Sequence, residues 1–225
     1  MYYNLLNQPE KLKRDVSIRV KNKYKNKLNA LKFDKEYFDG KREEGYGGYT
    51  YDGRWVKVSK DIINRYNVSD NSKFLDIGCA KGFLMSDMKD ANPSIDVFGV
   101  DVSEYAKSFA RPHIKEKITI TSCENLPYPD NYFDVCTAIN TIHNLEIDDC
   151  IKAILEMKRV TKNEKNIFIQ VDAYTNDSEK KFFEDWVLTA KTCLKPKQWE
   201  KLFEDADYQG DYFWTIIGFI DKNNY

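Results

Sequence analysis

The sequence predicts an α/β protein on a doubly wound, mostly parallel sheet, and three observations carry that prediction. Apolar strand-like runs alternate with helical stretches from Phe74 onward. A strand passes through a small-residue turn into a helix at Phe74-Leu75-Asp76-Ile77-Gly78-Cys79-Ala80-Lys81-Gly82-Phe83-Leu84. An acid, Asp101, closes the next strand 25 residues after Asp76. Alternating strands and helices imply right-handed crossovers and a sheet covered on both faces.

The chain opens on a basic arm. Between Lys11 and Lys35 stand ten Lys/Arg against two Asp/Glu, although the whole chain balances to a net charge of −1. Val16, Val20, Tyr24, Leu28 and Leu31 recur at three- and four-residue spacings, which predicts an amphipathic helix with one sticky face. Packing of that face on the domain, with a solvated lysine face, is one reading; an arm that attracts phosphate or self-associates as a homodimer is the other.

From Tyr37 to Trp55 glycine punctuates a row of aromatics, with Gly45-Tyr46-Gly47-Gly48-Tyr49 at its centre. These glycines permit positive φ, so the segment reads as a shaped loop with projecting rings. A helix over 56–66 leads into the main domain. Strands are expected at 74–77, 97–100, 118–121, 133–139 and 167–171, with helices at 83–90, 104–110, 147–160 and 179–190. A helix at 196–206 and a long apolar strand at 212–220 close the chain. Residues 1–66 thus form a helical arm and aromatic lid, and residues 67–225 the sheet domain.

Bulk properties exclude several classes. Near-neutral net charge gives no electrostatic reason to expect nucleic acid or anionic membrane as partner. Five cysteines without a CxxC pair read as reduced thiols, and two histidines rule out a His-rich zinc site, so no metal is expected. No run of about 18 apolar residues occurs, and the expectation is a soluble, cytoplasmic protein.

In an open parallel sheet, ligands bind beyond the carboxyl ends of the strands at the switch point, where the Gly78–Gly82 turn falls. Gly78 and Gly82 let backbone approach a ligand, Asp76 orients the turn, and Asp101 stands where a ribose-binding carboxylate belongs. Here the sequence resembles the class I S-adenosylmethionine-dependent methyltransferases, which are Rossmann-like. The resemblance runs from about Phe74 to Asp172 through Leu75–Cys79, Gly99–Asp101, the Leu-Pro-Tyr-Pro-Asp-x-x-Phe-Asp stretch within Glu124–Asp134, and Ala138-Ile139-Asn140 with His143 beyond.

The resemblance implies S-adenosylmethionine as cofactor, with Gly78, Cys79 and Gly82 along its methionine part, Asn140 beneath it, Asp101 on the ribose hydroxyls and Val102 on adenine. Two positions depart from the pattern. The middle glycine is Ala80, acceptable if its φ is negative, and Ser122 replaces the acid that holds adenine, leaving Cys123 or Glu124 and backbone for that role. The family usually closes with two antiparallel strands; only one run is available here, so five parallel strands plus one antiparallel C-terminal strand are expected.

Three segments should converge as the acceptor site: the loop after Ile139, Asp172-Ala173-Tyr174, and the aromatic loop. His143 is the base candidate, or else a core histidine with satisfied nitrogens. Tyr49 and Tyr51 are candidate catalytic hydroxyls, and Tyr46, Asp172 and Tyr174 candidate acceptor contacts. Lys41, Arg42 and Arg54 are placed to pair with a phosphate or the cofactor carboxylate. The aromatic segment resembles one found in bacterial methyltransferases of surface-polysaccharide pathways. The leading function is therefore O- or N-methylation of a small polar metabolite, a capsular saccharide precursor or a phosphorylated amine. RNA or protein methylation through the basic arm and a non-catalytic cofactor-binding module are the alternatives.

Overall fold

The computed structural model describes residues 1–219. Its seven strands form one sheet in the order β1-β7-β6-β5-β2-β3-β4, every neighbouring pair parallel. They are β1 (Lys11–Arg14), β2 (Lys73–Ile77), β3 (Asp96–Asp101), β4 (Ile118–Ile120), β5 (Val135–Ile139), β6 (Ile167–Ala173) and β7 (Asp211–Phe219). After β2 the chain winds outward through β3 and β4, then crosses to the other side at β5. The switch point lies between β2 and β5, and a crevice opens beyond their carboxyl ends.

Ten α-helices accompany the described strands: α1 (Ser17–Val20), α2 (Lys23–Ala30), α3 (Lys35–Asp39), α4 (Trp55–Arg65), α5 (Phe83–Ala91), α6 (Glu104–Ser108), α7 (Pro112–Lys115), α8 (Ile147–Val160), α9 (Asp177–Trp186) and α10 (Pro196–Asp205). Successive strand side chains alternate between faces. Thus Leu75, Ile77, Cys136 and Ala138 pack with Ile154, Met157 and Trp199 from α8 and α10. Phe74, Val97 and Val135 pack on the opposite face with Ile62, Met85 and Ile114 from α4, α5 and α7.

The closing strand is parallel, not antiparallel as expected: Phe168 pairs with Asp211 and Ala173 with Ile216 in rising register. β6 ends at the carboxyl edge, and the α9–α10 connection carries the chain back to the amino edge before β7 begins. A strand entered from that edge must run parallel. Ile220, the last residue of the expected run, lies outside the described residues.

The basic arm also departs from expectation. Its first residues form β1, an edge strand paired with β7 from Lys11↔Ile216 to Arg14↔Phe219; lysine is a common guard on such edges. The helical part is broken at Asn22, which sits at φ +60 between α1 and α2. Val20, Tyr24 and Leu28 consequently face solvent, Tyr24 at 78% exposure, while Arg19, Asn26 and Ala30 are buried.

The aromatic loop is clamped to the sheet domain. The Asp39 carboxylate accepts from Lys81 Nζ at 2.6 and 2.8 Å, from the Tyr105 hydroxyl at 2.8 Å and from the Tyr49 backbone N–H at 3.0 Å. These bonds hold its carboxyl below the usual range against the opposing effect of burial. Phe38, Tyr49 and Phe83 form a small apolar cluster with Ala80 and Ala106 beneath the clamp. The helices contain no segment long and apolar enough to cross a membrane, among the described residues.

Candidate active site at the carboxyl edge of the sheet

β2 delivers its turn into the switch-point crevice. Gly78 has φ +70, and a Cβ there would lie 2.1 Å from Thr141 Oγ1, so the backbone passes where no side chain fits. Ala80 also has a positive φ, +51, contrary to the negative value expected of an alanine in this turn. The turn is fixed by Asp101 at the end of β3: Oδ2 accepts the Ala80 N–H and Oδ1 the Ser103 N–H, both at 2.8 Å. Burial raises the Asp101 carboxyl, and these backbone bonds work against that rise.

Beside this carboxylate is a cavity of about 400 Å³ lined by Gly78, Ala80, Asp101, Val102, Ser122, Cys123, Asn140 and Thr141. A carboxylate at the strand end, an open wall without a Cβ and a small apolar wall are the groups a nucleoside needs. The residues therefore fit the cofactor that the resemblance implies. Ser122 is in the wall, with its hydroxyl donating to the Glu124 carboxylate, whereas Glu124 itself lines neither described cavity. Gly82 lines neither as well. It caps α5 at φ +68, and a Cβ there would come within 2.7 Å of Ile114, so its requirement is helix packing.

A second cavity of about 680 Å³ shares Gly78, Ala80, Tyr46 and Asn140 with the first and extends across the sheet edge past Asp76, Cys79, His143, Asp172 and Thr215. Both volumes suit small-molecule sites. Asp76 is buried, its Oδ1 accepts the Thr137 hydroxyl at 2.9 Å, and burial pushes its carboxyl up to about 7, with the Asp101 charge adding and the Thr137 bond opposing. Cys79 is buried and its thiol is pushed well up by the same desolvation.

His143 is buried on this wall, and its Nδ1 accepts the Asp172 backbone N–H at 3.1 Å. That bond assigns the neutral ring its proton on Nε2. Burial lowers its pKa against the Asp172 charge. The ring is thus a neutral donor at Nε2. Asp172 in turn accepts from the Thr215 hydroxyl. Tyr49 lines the same cavity, stacked on Phe83 at 5.1 Å, and burial raises its hydroxyl pKa so that it stays protonated.

Three expected contacts fall elsewhere or are engaged. Tyr51 lies outside both cavities and donates to Asp87 Oδ1 on α5 at 2.7 Å, with Arg111 over its ring, because the buried Asp87 carboxylate needs a donor. Tyr174 turns into an apolar cluster with Phe183 and Ile217 instead of the cavity. Arg54 reaches the larger cavity, but Asp52 holds its guanidinium through three contacts of 2.6–2.9 Å. Arg42 and Tyr46 line the larger cavity.

Sequence reading missed Thr141, Thr215, Arg14, Arg19 and Trp186 on these walls. Thr141 lies one residue beyond the quoted Ala138–Asn140 run and was within reach. Arg14 and Arg19 are two cations among many in a basic arm, and nothing local separates them from solvated lysines.

Residues 75–169 match the family model described as a methyltransferase domain. Among curated proteins, the ubiquinone/menaquinone biosynthesis C-methyltransferases UbiE of Burkholderia orbicola and Burkholderia cenocepacia are each 35% identical over 106 residues, 44% of this chain and 43% of theirs. The match therefore spans less than half the length of these relatives. Solved structures that share the fold include Bacillus subtilis YcgJ, 19% identical with TM-score 0.53 over 66% of both chains. The [4+2]-cyclase SpnF is 19% identical with TM-score 0.56, over 87% of this chain and 73% of its own.

Proposed function

We propose that this chain is a class I methyltransferase that takes its methyl group from S-adenosylmethionine and places it on an oxygen or nitrogen of a small polar metabolite. The carrying observation is the continuity of the two cavities through Gly78, Ala80 and Asn140. One is shaped for a nucleoside; the other is walled by hydrogen-bonding groups for an acceptor.

When bound, the cofactor supplies a sulfonium methyl group for in-line displacement by the acceptor atom. Asp101 and the Gly78–Ala80 turn hold its nucleoside end in this reading. Asp76, whose carboxyl titrates near neutrality, gains in its charged form from any cation placed beside it. His143 and Tyr49 enter as donors that orient the acceptor, and orientation is a large share of such a rate. The aromatic segment clamped by Asp39 and Lys81 covers the turn and limits water there. A saccharide precursor or a phosphorylated amine suits these walls.

The UbiE relatives favour a second reading, carbon methylation of a quinone-type ring. The test is turnover with amino sugars, phosphorylated amines and a hydroxylated aromatic ring, followed by mass spectrometry of the product. Methylated sugar or amine supports the proposal; methylation of the ring alone replaces it. With the acceptor found, His143→Ala is expected to cost about 3- to 10-fold in turnover as a lost donor, against about 10²-fold or more for a lost base.

A further inference from the structure

The geometry points to an acceptor that carries a phosphate group, held by Arg14 and Arg42 beside Trp186 with Arg19 fixed behind them. This deepens the methyltransferase reading and rests on it. Three guanidinium carbons converge on one indole ring: Arg14 at 5.4 Å from its centroid, Arg19 at 3.8 Å and Arg42 at 5.0 Å. They arrive from separate places, the end of β1, α1 and the loop after α3, while Trp186 ends α9. All four line the larger cavity.

Like charges gathered in a partly desolvated place repel one another. Here no carboxylate offsets them: among the described residues none of the three arginines forms an ion pair, whereas Arg54 nearby is neutralised by Asp52. Burial and then the Arg42 charge push Arg19 down to about 10; burial and then Arg14 lower Arg42. Such a cluster is stabilised by an anion.

The three differ in what they have left to give. Arg19 is committed to the frame: its nitrogens donate to the carbonyls of Arg42, Trp186 and Gly45 at 3.3, 2.7 and 2.6 Å. Arg42 spends one nitrogen on the Gly45 and Tyr46 carbonyls, at 2.9 and 3.0 Å. The Arg14 Nε is buried with no partner at all. Arg14 and Arg42 therefore offer free donors around one indole, and two planar forks match the several oxygens of a phosphate better than the two of a carboxylate.

Position sets Arg14 apart from the glycine turn. β1 stands four strand spacings from β2, roughly 19 Å at about 4.8 Å each. Arg14 thus enters the cavity from the side away from the glycine turn, where the distal end of an acceptor would reach, while Arg42 comes to the same indole from the loop that carries Tyr46.

Calorimetry with inorganic phosphate, pyrophosphate and acetate as probes tests this, each protein also being titrated with S-adenosylmethionine. Wild type is expected to bind pyrophosphate and phosphate more tightly than acetate. Arg14→Gln and Arg42→Gln should each weaken the phosphate probes about ten- to a hundred-fold, Arg42→Lys less, and none should alter cofactor affinity. Absent or acetate-like phosphate binding, or unchanged binding in both Gln variants, overturns the inference while cofactor binding leaves the methyltransferase reading standing. A parallel fall in cofactor affinity reassigns the cluster to the cofactor carboxylate. Failure of wild type to bind S-adenosylmethionine sinks the underlying reading and this inference with it.

Discussion

Replacing Asp76 by Asn removes one proton site from the wall shared by the turn and the larger cavity. The folded carboxyl titrates at about 7 against 3.8 when unperturbed, chiefly because burial penalises its charge. Since the folded pKa is raised, the folded state binds the proton more tightly than the unfolded chain. Wild-type stability from this group is therefore full below about pH 4 and is lost as pH rises to about 7. Three units correspond to about 4 kcal/mol in all, of which roughly 2–3 kcal/mol falls between about pH 5 and pH 8. Asn keeps the size and the oxygen that accepts from Thr137 but has no such titration. Urea denaturation of both proteins at the two pH values gives the measurement, and other titrating groups largely cancel in the difference. Asp76→Asn should gain on wild type by about 2–3 kcal/mol on going to the higher pH. A difference constant to within about 0.5 kcal/mol would show that Asp76 is solvated and ionised throughout.

Ala80→Gly relieves an L residue at φ +51; a strain of about 1–2 kcal/mol less the glycine entropy of about 0.5–1 leaves a gain of up to about 1.5 kcal/mol, seen as a higher melting temperature. A lower one would mean that the Ala80 methyl, packed with Phe83 and Tyr49, outweighs the strain. Tyr51→Phe takes the donor from Asp87, whose other oxygen is already buried without a partner, and should lower the melting temperature with turnover unchanged. Lost turnover at unaltered stability would return Tyr51 to the site.

The sheet and the glycine turn after β2 were legible because both are written locally. Apolar runs such as 74–77 and 135–139 and the Asp76–Gly82 turn carry their own geometry, and Asp101 marks the end of a strand by itself. What failed depends on distant partners. The direction of β7 is set by which sheet edge α10 returns to, not by the residues of β7. β1 forms only because β7 offers an edge. The arm's apolar stripe faces outward because the break at Asn22 and the three carbonyls that capture Arg19 turn it away. Tyr51 and Tyr174 look like cavity residues in a row of aromatics, yet a buried carboxylate and the Phe183 cluster claim them first.

The central claim is that the β2–β3 edge binds S-adenosylmethionine through Asp101, and calorimetry of wild type and Asp101→Asn tests it most directly. The carboxylate holds the turn through the Ala80 N–H and the start of α6 through the Ser103 N–H, each at 2.8 Å, and lines the smaller cavity. Loss of its charged acceptor should weaken binding by about 1.5–3 kcal/mol, ten- to a hundred-fold, in a variant shown by circular dichroism to be folded. Wild type that takes up no S-adenosylmethionine, or a folded Asp101→Asn that binds it as tightly as wild type, would contradict the account.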